Sequence, residues 1–187
     1  MAPYPTAHEI EEIFFHRINT EEFHSYLADH IDITVTGNDF NISGKFKSLE
    51  EFHNKIYVRI NAAVKQETLR LEVNRVIGGG ESPQALSPTA VLQLMLHRYT
   101  DKDVLQWAAV EVHYECESKE GRHLVYETVD LVRFNKEGKI FQMKSFLDSL
   151  AIHNLVEEHE KAVADGKREH GPVAPNAWAH TKDTPQV

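Results

Sequence analysis

The chain has 187 residues and a formal charge of -9 at pH 7, and 41% of its residues are hydrophobic. This length and composition are typical of a single globular domain with its own core. The excess of acidic residues argues against nucleic acid or an anionic membrane surface as a partner, because both attract Lys and Arg. The single cysteine excludes an intramolecular disulfide, and no apolar run is long enough to span a bilayer. We therefore expect a soluble, cytoplasmic protein.

Helices are predicted in the first third of the chain, each opened by a residue that can cap its N-terminus. They run from Thr6 to about Ile18, from Thr20 to about Ala28, and from Ser48 to about Val64. Residues 31–35 alternate between apolar and polar side chains and predict a strand between the second and third helices.

Strands dominate the next part of the sequence. One is centred on residues 69–73, and three more are predicted from Trp107 to Cys116, Leu124 to Phe134 and Ile140 to Asp148. Tight turns with Gly121 and Gly138 join the last three, so these should pair antiparallel. A final helix from about Leu150 to Ala164 follows, with Asp148 as its cap. Helices followed by such a sheet indicate an α+β fold.

Two segments resist assignment. Residues 81–104 contain an apolar run that fits a helix or a strand, and the segment could be a lid over a pocket or part of a dimer interface. Residues 166–187 contain three prolines and few apolar groups. They predict a flexible tail that follows a domain at 1–165.

Three blocks of sequence carry a resemblance to a known family. The first block consists of residues 35–37 and 42–48 with the helix that follows them. The second consists of residues 109–114, Gly121 and the strand that ends at 132–134. The third runs from residues 138–140 to residues 146–149. In this order and spacing, residues 8–155 resemble the SnoaL-like branch of the NTF2-like superfamily. The first block is most similar to versions common in fungi.

The resemblance implies a cone in which N-terminal helices pack on a strongly curved, mixed and largely antiparallel sheet that encloses one pocket. Relatives include polyketide cyclases, ketosteroid isomerase, scytalone dehydratase and limonene epoxide hydrolase, which act by proton transfer without a metal or organic cofactor. We accordingly expect no cofactor, and the twelve histidines include no HExxH motif for a metal. Many relatives are homodimers through the outer sheet face, whereas others only bind ligands or proteins.

The family analogy also predicts which residues face the pocket. Counting from Gly121 places Glu111 and His113 there on one strand, and Tyr126, Thr128 and Asp130 on the next. On the last strand the predicted pocket residues are Met143, Ser145 and Leu147. These assignments assume that no bulge shifts the strands. Relatives often have an acid at the position of Ser145 and an asparagine at the position of Tyr126, so this sequence departs from the pattern at both.

Chemistry can be assigned to these positions. An acid beside a histidine can transfer protons, so His113 is the predicted general base or shuttle, with Asp130 or Glu111 as its partner acid. The predicted substrate-binding residues supply hydrogen bonds or apolar surroundings. They are Tyr126, Thr128, Ser145, Met143, Leu147 and Trp107.

Structural explanations compete with these roles. Glu111, His113 and Glu115 share one face of their strand, and this face can equally be the solvated side of the sheet. Asp130 sits between two apolar residues, and a buried acid needs a partner, for which Arg133 and Lys144 are candidates.

Three functions remain open from the sequence. The first is a cofactor-independent isomerase, cyclase or dehydratase acting by acid–base chemistry on a hydrophobic, carbonyl-bearing small molecule, such as a polyketide or terpenoid. The second is a non-catalytic ligand-binding module, and the third is a dimerisation domain. The family suggests a homodimer in each case.

Overall fold

The structure is a computed structural model that describes residues 4–37, 40–80 and 107–167. The segment 81–104 and, from residue 168 onward, the predicted tail lie outside the described residues. We therefore describe the domain that the remaining residues form.

Five α-helices form in the described ranges. They are α1 (Ala7–Phe15), α2 (Thr20–His24), α3 (Leu49–Phe52), α4 (Val58–Ala63) and α5 (Ser149–Ala164). The capping box of Thr6 and Glu9 opens α1, and the Asp148 side chain caps α5, both as the sequence predicts. A 3-10 turn, His16–Ile18, separates α1 from α2, and a π-helix, His53–Tyr57, separates α3 from α4.

The second predicted helix is wrong in its cap and in its length. Asn19, one residue before Thr20, accepts the capping hydrogen bond from the backbone N–H of Glu22. The helix ends at His24, and Leu27 already begins a strand. Leu27 and Ile31 are buried in that strand. Their packing in the core therefore overrides the helical spacing of the apolar residues in this part of the sequence.

Within the described ranges, six strands form one mixed sheet in the order β2-β1-β6-β5-β4-β3. They are β1 (Leu27–Val35), β2 (Gly44–Phe46), β3 (Arg70–Gly78), β4 (Trp107–Glu117), β5 (His123–Phe134) and β6 (Ile140–Leu147). Only β1 and β6 pair in parallel, and the other neighbours are antiparallel. The predicted α+β class and the antiparallel pairing of the last three strands are confirmed.

The core lies between one face of this sheet and the helices. On β4, the even-numbered residues from Ala108 to Cys116 are all buried, and on β5 Thr128, Asp130 and Val132 are buried beside them. Phe14 and Phe23 bring α1 and α2 onto this face, with their rings packed edge to face at 5.8 Å. The opposite face of the sheet is the outer face.

The two edges of the sheet are short or polar. At one edge, β2 has three residues. At the other, β3 is irregular between Val73 and Arg75 and exposes Arg70, Glu72, Asn74 and Arg75. Among the described helices, none is long and apolar enough to cross a bilayer.

Candidate functional site

A cavity of about 80 Å³ opens on the core side of the sheet. On one side it is lined by residues of the 3-10 turn that follows α1, of α3, of the π-helix and of α4. On the other side it is lined by residues of β4, β5 and β6. Most of the lining is apolar. The polar residues that line it are Arg17, Tyr57, Asn61, Tyr114, Tyr126, Thr128 and Ser145.

A buried ion pair underlies this cavity. Asp130 is completely buried and does not itself line the cavity. Its Oδ2 accepts hydrogen bonds from Nη1 of Arg17 and, at 3.1 Å, from Oγ1 of Thr128, while its Oδ1 accepts a short hydrogen bond from Oγ of Ser145. Three donors, one of them a cation, therefore satisfy a carboxylate that burial would otherwise make very costly.

Arg17 connects this ion pair to the cavity. Its side chain is 10% exposed, and its guanidinium lies 5.6 Å from the ring centre of Phe14 and 5.9 Å from that of Phe23. Nε points to the hydroxyl of Tyr57 at 3.4 Å, and Nη2 has no acceptor among the described residues. Burial alone would lower the pKa of Arg17, but the adjacent Asp130 carboxylate raises it well above its ordinary value. Arg17 therefore stays charged and keeps a donor available.

Two tyrosines form the wall on the sheet side. Tyr114 on β4 is directly opposite Tyr126 on β5, and their rings stack at 4.9 Å with an interplanar angle of 6°. Burial raises the pKa of both phenols above the ordinary value, so both remain protonated at neutral pH. Neither hydroxyl has a hydrogen-bond partner among the residues that the structure describes.

Two histidines lie next to Tyr57, one of the helical residues that line the cavity. The rings of His24 and His53 are 5.4 Å apart, and the ring of His53 stacks on that of Tyr57 at 6.3 Å. Nδ1 of His53 is buried without a partner in the described ranges. Burial, with the neighbouring His53, lowers the pKa of His24 from 6.5 to about 4, and burial also lowers the pKa of His53. Both rings are therefore neutral at pH 7.

The predicted pocket positions of Glu111 and His113 are wrong. The register of β4 on β5 pairs Glu111 with Val129 and His113 with Glu127. Directly paired residues share a face of the sheet. Glu127 and Val129 lie on the outer face, because Tyr126 and Thr128, which alternate with them along β5, lie on the core face. His113 has a 32% exposed side chain, with Nδ1 at 3.7 Å from Oε1 of Glu127. The alternative explanation, a solvated outer face, applies to this strand.

The remaining predicted site residues divide into two groups. Tyr126, Thr128, Ser145 and Leu147 line the cavity. Met143 is buried in the core without lining the cavity, and Trp107 lies on the outer face, where the guanidinium of Arg133 stands 5.7 Å from its ring centre. Both positions differ from the prediction.

The structure also brings in residues that the sequence did not single out. The partner of Asp130 is Arg17, 113 residues away, and not Arg133 or Lys144. Tyr57, Asn61 and Tyr114 complete the polar lining. Tyr114 could have been found, because it continues the apolar alternation of Val110 and Val112 on β4. No local pattern marks Arg17. In the described part of the chain, no three His, Cys, Asp or Glu side chains come together as a metal site.

No family model matches the sequence, and no curated protein matches it. Solved structures do match. A Burkholderia pseudomallei NTF2-like protein of unknown function is 15% identical, has a TM-score of 0.51, and the match covers 79% of this chain and 92% of that one. The fold is NTF2-like. This agreement confirms the fold predicted from the sequence resemblance.

Two further solved structures that match contain small molecules. RV0760c from Mycobacterium tuberculosis, in complex with estradiol-17beta-hemisuccinate, is 15% identical with a TM-score of 0.51, and the match covers 81% of this chain and 98% of that one. TerC, co-crystallized with polyporic acid, is 16% identical with a TM-score of 0.50, with 79% of this chain and 94% of that one covered. At these identities the likeness concerns the NTF2-like fold.

Removing Arg17 should be far more costly than removing an exposed arginine. We expect Arg17→Met to lower the free energy of unfolding by about 3–5 kcal/mol, because it leaves Asp130 buried without its cation. Arg59→Met is the matched control. Arg59 pairs with Glu160 at 2.7 Å at a more exposed site, where a pair contributes about 0–1 kcal/mol. Urea unfolding measures both, and equal losses would contradict the structural role of Arg17.

Acid should destabilise the protein through His24. The unfolded chain takes up this proton near pH 6.5, whereas the folded chain does so only near pH 4. The stabilisation from a neutral His24 is therefore present above pH 6.5 and is lost as the pH falls toward 4. Because the ring is only partly buried and solvent screens its charge, the loss should be about 1–2 kcal/mol.

Urea unfolding across this pH range measures the effect, with His24→Phe as the comparison because Phe cannot titrate. We expect the stability difference between the wild type and His24→Phe to change with pH in this window. A constant difference would show that His24 titrates normally in the folded protein.

Proposed function

We propose that the protein binds a small, largely apolar molecule in this cavity through an oxygen atom of the ligand. The observation that supports this proposal is the imbalance of polar groups in the cavity. Arg17, Tyr114 and Tyr126 each offer a hydrogen-bond donor without a partner among the described residues, whereas the neighbouring carboxylate of Asp130 already accepts from three donors. A ligand that supplies acceptors in an apolar frame complements this arrangement.

The positions of the predicted acid–base residues favour binding over proton abstraction. A general base must lie within hydrogen-bond reach of the proton that it removes. Glu111 and His113 are on the outer face, and Asp130 lies behind Thr128 and Ser145 with both oxygens engaged. In the described ranges, no free carboxylate or imidazole lines the cavity.

The size of the cavity limits what enters it. At about 80 Å³ it has roughly half the volume of the 150 Å³ engineered cavity that binds benzene. We propose that it holds one end of a planar or ring-shaped molecule, with the oxygen directed at the tyrosines. The oxygen-bearing ligands in the RV0760c and TerC structures are compatible with such a site.

A second candidate is the cofactor-independent isomerase, cyclase or dehydratase of a SnoaL-like, fungal-type protein acting in the cytoplasm on a polyketide- or terpenoid-like carbonyl compound. The donor set favours it, because Arg17 and the two tyrosines can stabilise the negative charge that develops on a carbonyl oxygen in an enolate. In this candidate Asp130 is a positioning residue that holds Arg17.

Cyclohexanone, which has one carbonyl on an apolar ring, distinguishes these candidates. We expect NMR titration to perturb the signals of Tyr114, Tyr126 and Ile60, because all three line the cavity. Ile60→Trp should abolish these shifts by filling the cavity. The control Leu150→Trp adds the same bulk at an exposed site outside the lining and should leave them unchanged.

The same titration in D₂O reports catalysis. A binding protein leaves the exchange of the α-hydrogens at the rate of the buffer, whereas the enzyme accelerates exchange and loses the acceleration in Tyr126→Phe. If cyclohexanone shifts no cavity residue, or shifts them equally in Ile60→Trp, the cavity is not the binding site and both candidates fail.

We also propose that the protein forms a homodimer through the outer sheet face. Val125, Val129 and Phe146 are exposed on this face, and Val129 and Phe146 are directly paired on β5 and β6. Adjacent exposed apolar side chains of this kind mark interaction surfaces. Two copies, each with a formal charge of -9, repel one another at long range, so added salt should strengthen the dimer.

The substitution Val129→Glu should shift the dimer to the monomer without unfolding the protein, because it places a charge in the centre of the apolar face. Sedimentation velocity measures the change. Phe15→Glu, at another exposed apolar residue on α1, is the control and should leave the dimer intact. A wild-type protein that stays monomeric at high concentration and high salt contradicts the proposal.

A further inference from the structure

The stacked tyrosines present an unusual pair of donors. Buried tyrosine hydroxyls normally find a hydrogen-bond partner inside the protein. Tyr114 is only 7% exposed and Tyr126 is partly buried, yet neither hydroxyl has a partner among the described residues. Neither hydroxyl is sealed in the core, so each reaches open space, and both residues line the cavity. The two phenols are therefore available to a ligand.

The charges around the cavity do not oppose an anion. Arg17 and Asp130 form a pair with no net charge, and Asp130 is separated from the cavity by Thr128 and Ser145, which line it and donate to the carboxylate. The second terminal nitrogen of Arg17 lacks an acceptor in the part of the chain that the structure describes. An anionic oxygen in the cavity thus meets hydroxyl hydrogens and a guanidinium, with no unpaired carboxylate lining the described part of the wall.

Building on the proposed ligand-binding function, we infer that the cavity selects an ionised oxygen on a ring or conjugated frame, a phenolate or an enolate, and that Tyr114 and Tyr126 are the residues that make the selection. An anionic oxygen can accept from both hydroxyls at once, and hydrogen bonds to a charged acceptor are roughly twice as strong as neutral ones. The same ligand with its oxygen methylated accepts more weakly and adds a methyl group where space is limited. On binding of a neutral phenol, the proton passes to the buffer.

Burial makes the tyrosines suited to this role. Since it raises the pKa of both phenols, neither tyrosine gives up its own proton to a bound anion of lower pKa. The tyrosines therefore remain donors while the ligand remains the charged partner.

The probes are 4-nitrophenol, which is yellow only as the phenolate, and 4-nitroanisole, its methyl ether of the same frame. With the full chain in excess, at a pH where free 4-nitrophenol is partly ionised, absorbance reports the form that is bound. We expect binding to increase the fraction of 4-nitrophenol that is yellow. We expect the affinity for 4-nitroanisole to be lower by a factor of about 10 or more.

Conservative variants assign the selection to the two hydroxyls. Tyr114→Phe and Tyr126→Phe should each lower the affinity for the phenolate by about 10-fold, with little effect on 4-nitroanisole and with an unchanged melting temperature. Tyr26→Phe is the matched control, since Tyr26 stacks on His16 and does not line the cavity. It should leave both affinities unchanged.

Each other outcome overturns the inference. If 4-nitrophenol binds in its neutral form, or if both probes bind equally, the cavity binds small molecules without selecting charge, and the proposed function survives. If the phenolate binds but the two Phe variants retain the preference, other residues select it. If neither probe binds while cyclohexanone does, the site takes neutral carbonyl compounds only.

Discussion

The ion pair between Arg17 and Asp130 joins the two layers of this protein. Arg17 lies in the 3-10 turn after the first helix, with its guanidinium near two phenylalanine rings, and Asp130 is buried on the sheet face that these helices cover. An isolated charge at either position would be very costly, so each residue is tolerable only because the other is in place. The pair thereby fixes how the N-terminal helices sit on the sheet, and it sets the electrostatic character of the cavity next to it.

The polar groups next to the ion pair act mainly as donors. Because Arg17, Ser145 and Thr128 engage both oxygens of Asp130, this part of the cavity offers a ligand mainly hydrogen-bond donors on a largely apolar wall. Such a set can hold an oxygen atom and can lower the energy of negative charge on it, but it does not remove a proton. In the proposed function, ligand binding and carbonyl polarisation therefore depend on the same residues, and proton abstraction would need a base in addition.

The sequence predicted the fold well because its information is local. Capping residues, alternation and glycine turns mark β4, β5, β6 and the helices around them. The family analogy gave the correct face for Tyr126 and Ser145 but the wrong face for Glu111 and His113. The residues of β4 themselves indicated the right answer, because Val110, Val112 and Tyr114 form the apolar set that a core requires. No local sequence pattern could identify Arg17 as a site residue, because its partner Asp130 lies 113 residues later in the chain.

The edges of the sheet bear on how copies of this protein can meet. An exposed edge strand invites another strand to continue the sheet, and repeated addition would produce filaments. Here one edge strand of the described sheet is three residues long, and the other has an irregular register and exposes charged side chains to the solvent. Growth by strand addition is thus discouraged at both ends. Contact through a sheet face closes on itself with two-fold symmetry, so association of this kind stops at a defined size.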